Sequence, residues 1–344
     1  MQHLPIAVTM GDPAGCGGEI TIRSWVESRD KLPSFFLIDD IERLKKLSNT
    51  MNINCKFKGI NNPREALSLF KDFLPVIQVE PPLSSQVILG KHNPLHNPSI
   101  IFSIETAVKF ASNNLVKAIV TNPIFKSGLQ NTGFKYSGHT EYLGDLAGIK
   151  TPPIMMLSTN KAKDSLRVVP ITTHIPHREV SSELNKDKII EYCKRVHRYL
   201  TEDFGIKKPK IAISALNPHA GEDGKLGLEE KEIIIPAVEK LNNILPDILG
   251  PFPADTLFYP ENRKNYDAII CMYHDQALIP LKTIDFFGSV NITLGLPFVR
   301  TSPDHGTAFD IAGKGIAEIN SFKQSFFLAR KIFLMRNKGI KVSF

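Results

Sequence analysis

The chain has 344 residues, of which 42% are hydrophobic and 22% charged, a composition typical of a globular protein long enough for two domains. The net charge of +7 is spread along the chain without a nucleic-acid recognition motif, which predicts a solvated basic surface and no nucleic-acid partner; an alternative use of this charge is to steer anionic substrates. No CxxC pair, signal-peptide pattern or membrane-length apolar run is present, which predicts a cytoplasmic protein with no membrane partner.

Short apolar runs alternate with helical patterns in the first part of the chain. In chain order, the patterns predict a strand at 5–10, a helix at 18–28, a strand at 35–39, and helices at 41–49 and 98–114 before a strand at 117–123. Such alternation predicts an α/β fold with mostly parallel sheets.

Three later segments share one design: 166–176, 210–220 and 266–276 are apolar, β-prone runs that end in polar residues including a histidine. Helical patterns at 186–204 and 228–244 lie between them. Since ligands bind beyond the carboxyl ends of strands in parallel sheets, these polar ends are candidate functional positions.

The histidines in question are His174, His219 and His274. Three neutral imidazoles suit a divalent ion such as Zn²⁺, Co²⁺ or Mn²⁺ and leave coordination positions open for substrate oxygens. Their wide sequence separation matches no local metal motif, so each could also be a structural residue. Asp275, next to His274, is either a partner that orients the imidazole or a loop-capping carboxylate.

The glycine-rich segment GDPAGCGGEI (11–20) joins the first strand to the first helix. It matches neither the dinucleotide fingerprint GxGxxG nor the Walker pattern. Two interpretations stay open: backbone amides that approach an anion, or a tight turn that packs two elements together.

Two further groups of residues could bind an anion. His139 and Thr140 lie in SGHTE at the start of a helical stretch, where they could bind a phosphate or carboxylate or simply cap the helix. Lys282, Asn291 and Arg300 could form a clamp, with the guanidinium gripping a carboxylate or phosphate, or could be unrelated surface residues.

Several motifs occur in order and together resemble the 4-hydroxythreonine-4-phosphate dehydrogenase family, PdxA. They are GDPAG (11–15), TNPIFK (121–126), SGHTE (137–141), THIP (173–176), ALNPHAGE (215–222), PADT (253–256), YHDQ (273–276) and FVRTSPDHGTAFDIAGKG (298–315). The resemblance covers nearly the whole chain. This sequence has GCGGE and SPDHG where the family usually has GIGPE and often has SVDHG.

The resemblance implies a fold like that of isocitrate and isopropylmalate dehydrogenases, with two α/β domains flanking a cleft. We expect residues 1–140 with 300–344 in the first domain and 141–299 in the second. It also implies NAD or NADP bound without a Rossmann fingerprint, by residues that the sequence does not identify, and a homodimer with shared active sites. One divalent ion per site (Zn, Co, Mg or Mn) would be held by His174, His219 and His274.

The same resemblance implies that His139, Thr140, Lys282, Asn291 and Arg300 bind a small phosphorylated substrate. The implied reaction is oxidation of 4-phosphooxy-L-threonine at C3, followed by decarboxylation to 3-amino-2-oxopropyl phosphate. Candidate catalytic residues are Lys282, Asp255 and Asp275.

Alternative functions stay open at this point. Related four-carbon substrates, the 4-phosphates of D-threonate or D-erythronate, would suit the same residues. A metal-dependent hydrolase or acyltransferase is a different class of enzyme that these histidines could also serve.

Overall fold

A computed structural model describes residues 4–159 and 165–339. By their internal contacts the described residues divide into two compact units. The first lies within Met1–Pro153 and Leu296–Phe333, and the second within Ile154–Gly295 and Leu334–Phe344. The domain boundaries expected from the sequence stay a prediction, because compactness alone does not define a folding domain.

The strands of the described residues are short, mostly three to five residues. They are β1 (Ile6–Thr9), β2 (Phe35–Asp39), β3 (Phe57–Gly59), β4 (Leu74–Gln78), β5 (Ala118–Val120), β6 (Ile154–Ser158), β7 (Arg167–Pro170), β8 (Ile211–Ser214), β9 (Ile248–Phe252), β10 (Ala268–Cys271), β11 (Val290–Leu294) and β12 (Val299–Pro303).

The α-helices range from single turns to helices of 17 residues. They are α1 (Gly17–Ser28), α2 (Ile41–Thr50), α3 (Ala66–Leu69), α4 (Asn97–Ser112), α5 (Lys126–Gln130), α6 (His139–Leu146), α7 (Val180–Glu183), α8 (Lys186–Glu202), α9 (Ile235–Asn242), α10 (Ala254–Leu257), α11 (Pro260–Arg263), α12 (His274–Ile284) and α13 (Asn320–Arg336). A π-helical turn, Glu230–Ile234, precedes α9.

The first unit contains strands in the order β3-β4-β2-β1-β5-β12, and every pair in this series is parallel. Strands β1, β2 and β12 are buried along their whole length, as expected for a parallel sheet covered on both faces. Helix α4 packs its apolar face, including Ile100 and Ile104, into the core that contains Phe36 and Ile38.

The second unit contains strands in the order β11-β6-β7-β10-β8-β9. Strand β6 is antiparallel to both of its neighbours, whereas β10 is parallel to β7 and to β8. The carboxyl ends of β7, β10 and β8 therefore lie at the same edge of this sheet. Helix α12 contributes Ala277 and Leu281 to the core beneath it, together with Val168, Ala212 and Ile269.

The α/β class predicted from the sequence is confirmed. The predicted strands and helices described above are all present, with ends that shift by at most six residues. The segment 228–244 differs from a continuous α-helix because its first part is the π-helical turn. None of the helices among the described residues is both long and apolar enough to span a membrane.

Candidate functional site

Three histidines follow the carboxyl ends of three adjacent parallel strands in the second unit. His174 comes four residues after β7, His219 comes five residues after β8, and His274, the first residue of α12, comes three residues after β10. Because β10 lies between β7 and β8, the topology distributes the three side chains along one edge of the sheet. This edge is where α/β folds bind their ligands.

His174 and His274 lie side by side, with ring centroids 5.9 Å apart, and they line a cavity of about 260 Å³. Nδ1 of His274 is 2.7 Å from Oδ1 of Asp275. If Nδ1 carries the proton and donates to this carboxylate, the Nε2 lone pair is directed away and can bind a metal ion. The carboxylate of Asp275 is therefore well placed to orient the imidazole of His274.

His219 lines an adjacent cavity of about 610 Å³, together with Asp255 and Glu229. The two cavities share three wall residues, His177, Val180 and Tyr273. The His177 and Tyr273 rings contact each other edge to face, with centroids 5.1 Å apart. The three predicted metal ligands therefore lie in two neighbouring cavities separated by a common wall.

Two of these histidines have left-handed backbone conformations, with φ of 53° for His174 and 51° for His219. A residue other than glycine loses about 1–3 kcal/mol in this conformation, and such residues concentrate at binding and catalytic sites. The strained backbone conformations thus occur at the two positions where the chain turns sharply after β7 and after β8.

A buried carboxylate holds the segment that leads to His219. Oε1 of Glu230, a residue that is 2% exposed, accepts hydrogen bonds from the backbone N–H groups of Leu216 and Asn217, each at 2.8 Å. The Asn217 amide donates to Oε2 of Glu230 at 2.9 Å and to Oε2 of Glu229 at 2.7 Å. The π-helical turn that carries Glu230 thus positions the loop of His219.

A bound metal ion requires ligand side chains that converge on one point. Within residues 4–159 and 165–339, no three His, Cys, Asp or Glu side chains converge closely enough to hold a metal ion. The adjacent imidazoles of His174 and His274 nevertheless fit part of a site for a borderline divalent ion, and His219 lies at the same sheet edge. The described residues of a single chain therefore bring together two of the three candidate ligands and do not form a complete metal site.

Lys282, Asn291 and Asp255 also belong to the second unit. Lys282 lies in the last turn of α12, with its ammonium 5.2 Å from the ring centroid of Phe286. Asn291 lies on β11 opposite Leu157, and its Oδ1 atom is buried without a hydrogen-bond partner among the described residues. Asp255 is solvent-exposed at the start of α10.

Arg300, in the first unit, is a buried cation on β12 opposite Ile119. Its Nε and Nη2 atoms donate to Oγ1 of Thr121 at 3.1 and 2.6 Å. Burial lowers the pKa of the guanidinium to about 10, against a smaller opposing effect from Glu141. A buried guanidinium whose charge is disfavoured in this way is stabilised by an anion.

His139 begins α6, as predicted, and Thr140 follows it in the first turn. The Nε2 atom of His139 is enclosed and has no hydrogen-bond partner among the described residues. Burial lowers the pKa of this imidazole well below its usual value, and the charges of Arg300 and Lys126 lower it further. His139 and Arg300 therefore belong to one electrostatically coupled cluster, which we call the anion cluster.

The GDPAG turn packs against two other loops. A Cβ atom on Gly11 would lie 2.7 Å from both Cβ of Asn122 and the carbonyl oxygen of Pro123. Glu19 in the following helix accepts hydrogen bonds from the N–H groups of Gly313 and Ala317, each at 2.8 Å. These contacts support the packing interpretation of the turn over the anion-binding one.

Sequence reasoning missed His177 and Lys126. His177 lies three residues after His174, a spacing that brings both into one loop, but it does not follow a strand directly. Lys126 ends the TNPIFK motif, and a lone lysine at the start of a short helix gives no pattern by which to select it.

Comparison with known proteins supplies a family. Residues 31–329 match the family described as pyridoxal phosphate biosynthetic protein PdxA. A 4-hydroxythreonine-4-phosphate dehydrogenase of Caulobacter vibrioides is 45% identical over 341 residues, which cover 98% of this chain and 99% of that protein. A protein of the same name from Bradyrhizobium diazoefficiens is 43% identical over 339 residues, which cover 95% of this chain and 96% of that protein.

Solved structures give the same result. The crystal structure of 4-hydroxythreonine-4-phosphate dehydrogenase from Klebsiella pneumoniae aligns with a TM-score of 0.82 and 36% identity, covering 96% of this chain and 99% of that chain. A terephthalate 1,2-cis-dihydrodiol dehydrogenase from Burkholderia xenovorans, 22% identical with a TM-score of 0.61 over 99% of each chain, shares the fold.

Proposed function

The chain belongs to the PdxA family of pyridoxal phosphate biosynthetic proteins, and from this premise we propose that it is a 4-hydroxythreonine-4-phosphate dehydrogenase. In the proposed reaction the C3 hydroxyl of the substrate loses its proton to a base and C3 transfers a hydride to NAD⁺ or NADP⁺. The resulting β-keto acid then releases CO₂ to give 3-amino-2-oxopropyl phosphate.

The observation that carries this proposal is the alignment of His174, His274 and His219 after three adjacent parallel strands, two of them with ring centroids 5.9 Å apart. These residues would hold one divalent ion, Zn²⁺, Co²⁺, Mg²⁺ or Mn²⁺. Such an ion supplies Lewis acidity, which in the case of bound water lowers the pKa from 15.7 to roughly 7.

The side chains around the histidines have three proposed roles: orienting an imidazole, transferring a proton and contacting the substrate. Asp275 orients His274 through the 2.7 Å contact with Nδ1. Asp255 is exposed to solvent beside His219, and Lys282 follows on the helix that His274 begins. We propose Lys282 and Asp255 as the groups that take up or relay the hydroxyl proton, and Asn291, with its unpaired Oδ1, as a substrate contact.

The anion cluster suits the charged ends of the substrate. His139, Thr140 and Arg300 are proposed to bind its phosphate or carboxylate. The support is electrostatic: burial lowers the pKa values of both His139 and Arg300, so that a negative charge placed beside them would favour their protonated forms. The nicotinamide supplies the hydride acceptor, and the protein supplies alignment.

We further propose that the active molecule is a homodimer with shared sites. Helix α12, which begins at His274, carries Ile279 at 64% exposure, and the loop after it exposes Phe286 and Phe287 at 62% and 57%. Large apolar side chains of this kind concentrate at protein interfaces. A second copy bound at this surface would complete a coordination sphere that one chain supplies only in part.

A substrate panel tests the proposed function. The protein is treated with a chelator, re-supplied separately with Zn²⁺, Co²⁺, Mn²⁺ and Mg²⁺, and assayed for reduced nicotinamide with the 4-phosphates of hydroxythreonine, D-threonate and D-erythronate. We expect metal-dependent reduction that is fastest with 4-hydroxythreonine 4-phosphate. Faster turnover of a threonate or erythronate phosphate would reassign the substrate, and phosphate release without nicotinamide reduction would indicate a hydrolase.

A further inference from the structure

We propose that Lys126 is a further anion-binding residue of the anion cluster, and that its ammonium group binds the substrate phosphate together with His139 and Arg300. This inference deepens the proposed function and rests on it for the identity of the substrate. It concerns a residue that lies outside the set implied by family resemblance.

The position of Lys126 is defined by its contact with Gly138, the residue that precedes α6. A Cβ atom on Gly138 would lie 3.2 Å from Cε and 3.3 Å from Nζ of Lys126. The lysine side chain therefore passes directly over the N-terminus of α6, which begins at His139. Gly138 has no side chain to cap this eight-residue helix, so its first N–H groups are open to an anion.

A second observation independently indicates a ligand at this place. His139 is half-buried at the same helix start, and its enclosed Nε2 atom has no hydrogen-bond partner among the described residues. A buried polar atom without a partner is costly, by about 1–3 kcal/mol in proteins, and a bound oxyanion is a partner that would remove this cost.

The local charge balance favours an anion over a neutral ligand. The pKa of Lys126 is lowered, first by burial and then by the charge of Arg300, whereas Glu141 raises it. The charge of Glu141 also raises the pKa of Arg300, against the effect of burial. One carboxylate therefore offsets two cations, and a phosphate monoester with nearly two negative charges would reverse the imbalance. The lysine also keeps enough solvent exposure for a ligand to reach it.

There is little space for a side chain between Gly138 and the end of the Lys126 side chain. A methyl group at position 138 would contact the end of the Lys126 side chain at about the limit of what side chains tolerate. A Gly138→Ala variant should therefore displace the ammonium without removing its charge, and should weaken anion binding less than loss of the lysine does.

The experiment measures binding of inorganic phosphate, without cofactor or added metal, at constant ionic strength by isothermal titration calorimetry. Lys126→Met removes the charge, Lys126→Arg keeps it, and Lys109→Met is a matched control on the exposed face of α4 in the same unit. We expect Lys126→Met to weaken phosphate binding by about 10- to 100-fold, as for loss of a charge-assisted hydrogen bond. Lys126→Arg should stay within a few-fold of the wild type, and Lys109→Met should match it.

Steady-state kinetics separate this proposal from the proposed function. Lys126→Met should raise KM for 4-hydroxythreonine 4-phosphate by a similar factor and change kcat less, with an unchanged circular dichroism spectrum. Wild-type phosphate affinity and KM in Lys126→Met would overturn the role of Lys126 while leaving the dehydrogenase intact. Loss of phosphate binding in a protein that oxidises none of the panel substrates would support Lys126 and overturn the proposed function instead.

Discussion

At the scale of single residues, burial is the main cause of the lowered pKa values in the anion cluster. His139 has a pKa held well below its usual value by burial and by the charges of Arg300 and Lys126. In the unfolded chain the same imidazole titrates near 6.5, so below that pH the unfolded state binds more protons than the folded state. The contribution of this imidazole to the free energy of unfolding therefore falls as the pH drops below about 6.5.

This linkage predicts a measurable difference between the wild type and His139→Gln. Urea denaturation at pH 7.5 and 5.5 should show that the wild type loses about 1 kcal/mol more stability over this range than the variant, because the variant has no imidazole to protonate at this position. Since the comparison is a difference between two proteins, contributions from other histidines cancel. An identical loss in both would show that His139 titrates normally in the folded state.

Some of the residue-scale interpretation was possible from the sequence and some was not. A histidine at the end of an apolar run has a recognisable context, which is why His174, His219 and His274 could be selected. Lys126 and His177 have no such context, and only the tertiary fold determines which side chains lie beside them. The burial of the Glu230 carboxylate could likewise not be predicted, because the charged residues of its segment have the pattern of an exposed helical face.

At the scale of elements, the parallel strands explain why polar residues recur where apolar runs end. Strands β7, β10 and β8 read as continuous apolar segments because both faces of the sheet are covered, so only their ends can present polar side chains. The π-helical turn before α9 could not be predicted from the sequence pattern. Pro236 supplies no N–H group and crowds the carbonyl one turn earlier, which makes a locally widened helix favourable there.

The GDPAG turn offers a test of how much its packing contributes to stability. Gly11 and Gly148 have similar backbone conformations, with φ of 70° and 65°. A Cβ atom on Gly148 would meet no atom within 4 Å, whereas one on Gly11 would lie 2.7 Å from Asn122 and Pro123. The two positions therefore separate conformational strain from steric overlap.

We expect Gly148→Ala to lower the free energy of unfolding by about 1–2 kcal/mol, the cost of a left-handed conformation in a residue with a side chain. Gly11→Ala should lower it by about 1–3 kcal/mol more, because the turn must also move away from its neighbours. Chemical denaturation of both variants checks the difference. Equal losses would mean that the turn yields freely and that its close packing is not a structural requirement.

At the scale of the whole molecule, the sequence predicted an α/β protein with the architecture that its relatives share, and this class is confirmed. Sequence pattern alone could not give the strand order, because an apolar run identifies a strand but does not show which other strand pairs with it. In the proposed homodimer, a second copy would supply the ligands that the described residues of one chain do not bring together.

In the proposed metal centre, His219 joins His174 and His274 in holding one divalent ion. The most direct measurement is the amount of Co²⁺ retained per chain by the chelated and reloaded protein, determined by elemental analysis and by the visible absorption of the bound ion. His219→Ala is compared with the wild type and with His197→Gln, a control on helix α8. We predict about one Co²⁺ per chain in the wild type and the control, and near-complete loss in His219→Ala with an unchanged circular dichroism spectrum. Full Co²⁺ retention by His219→Ala would show that His219 is not a ligand of the ion.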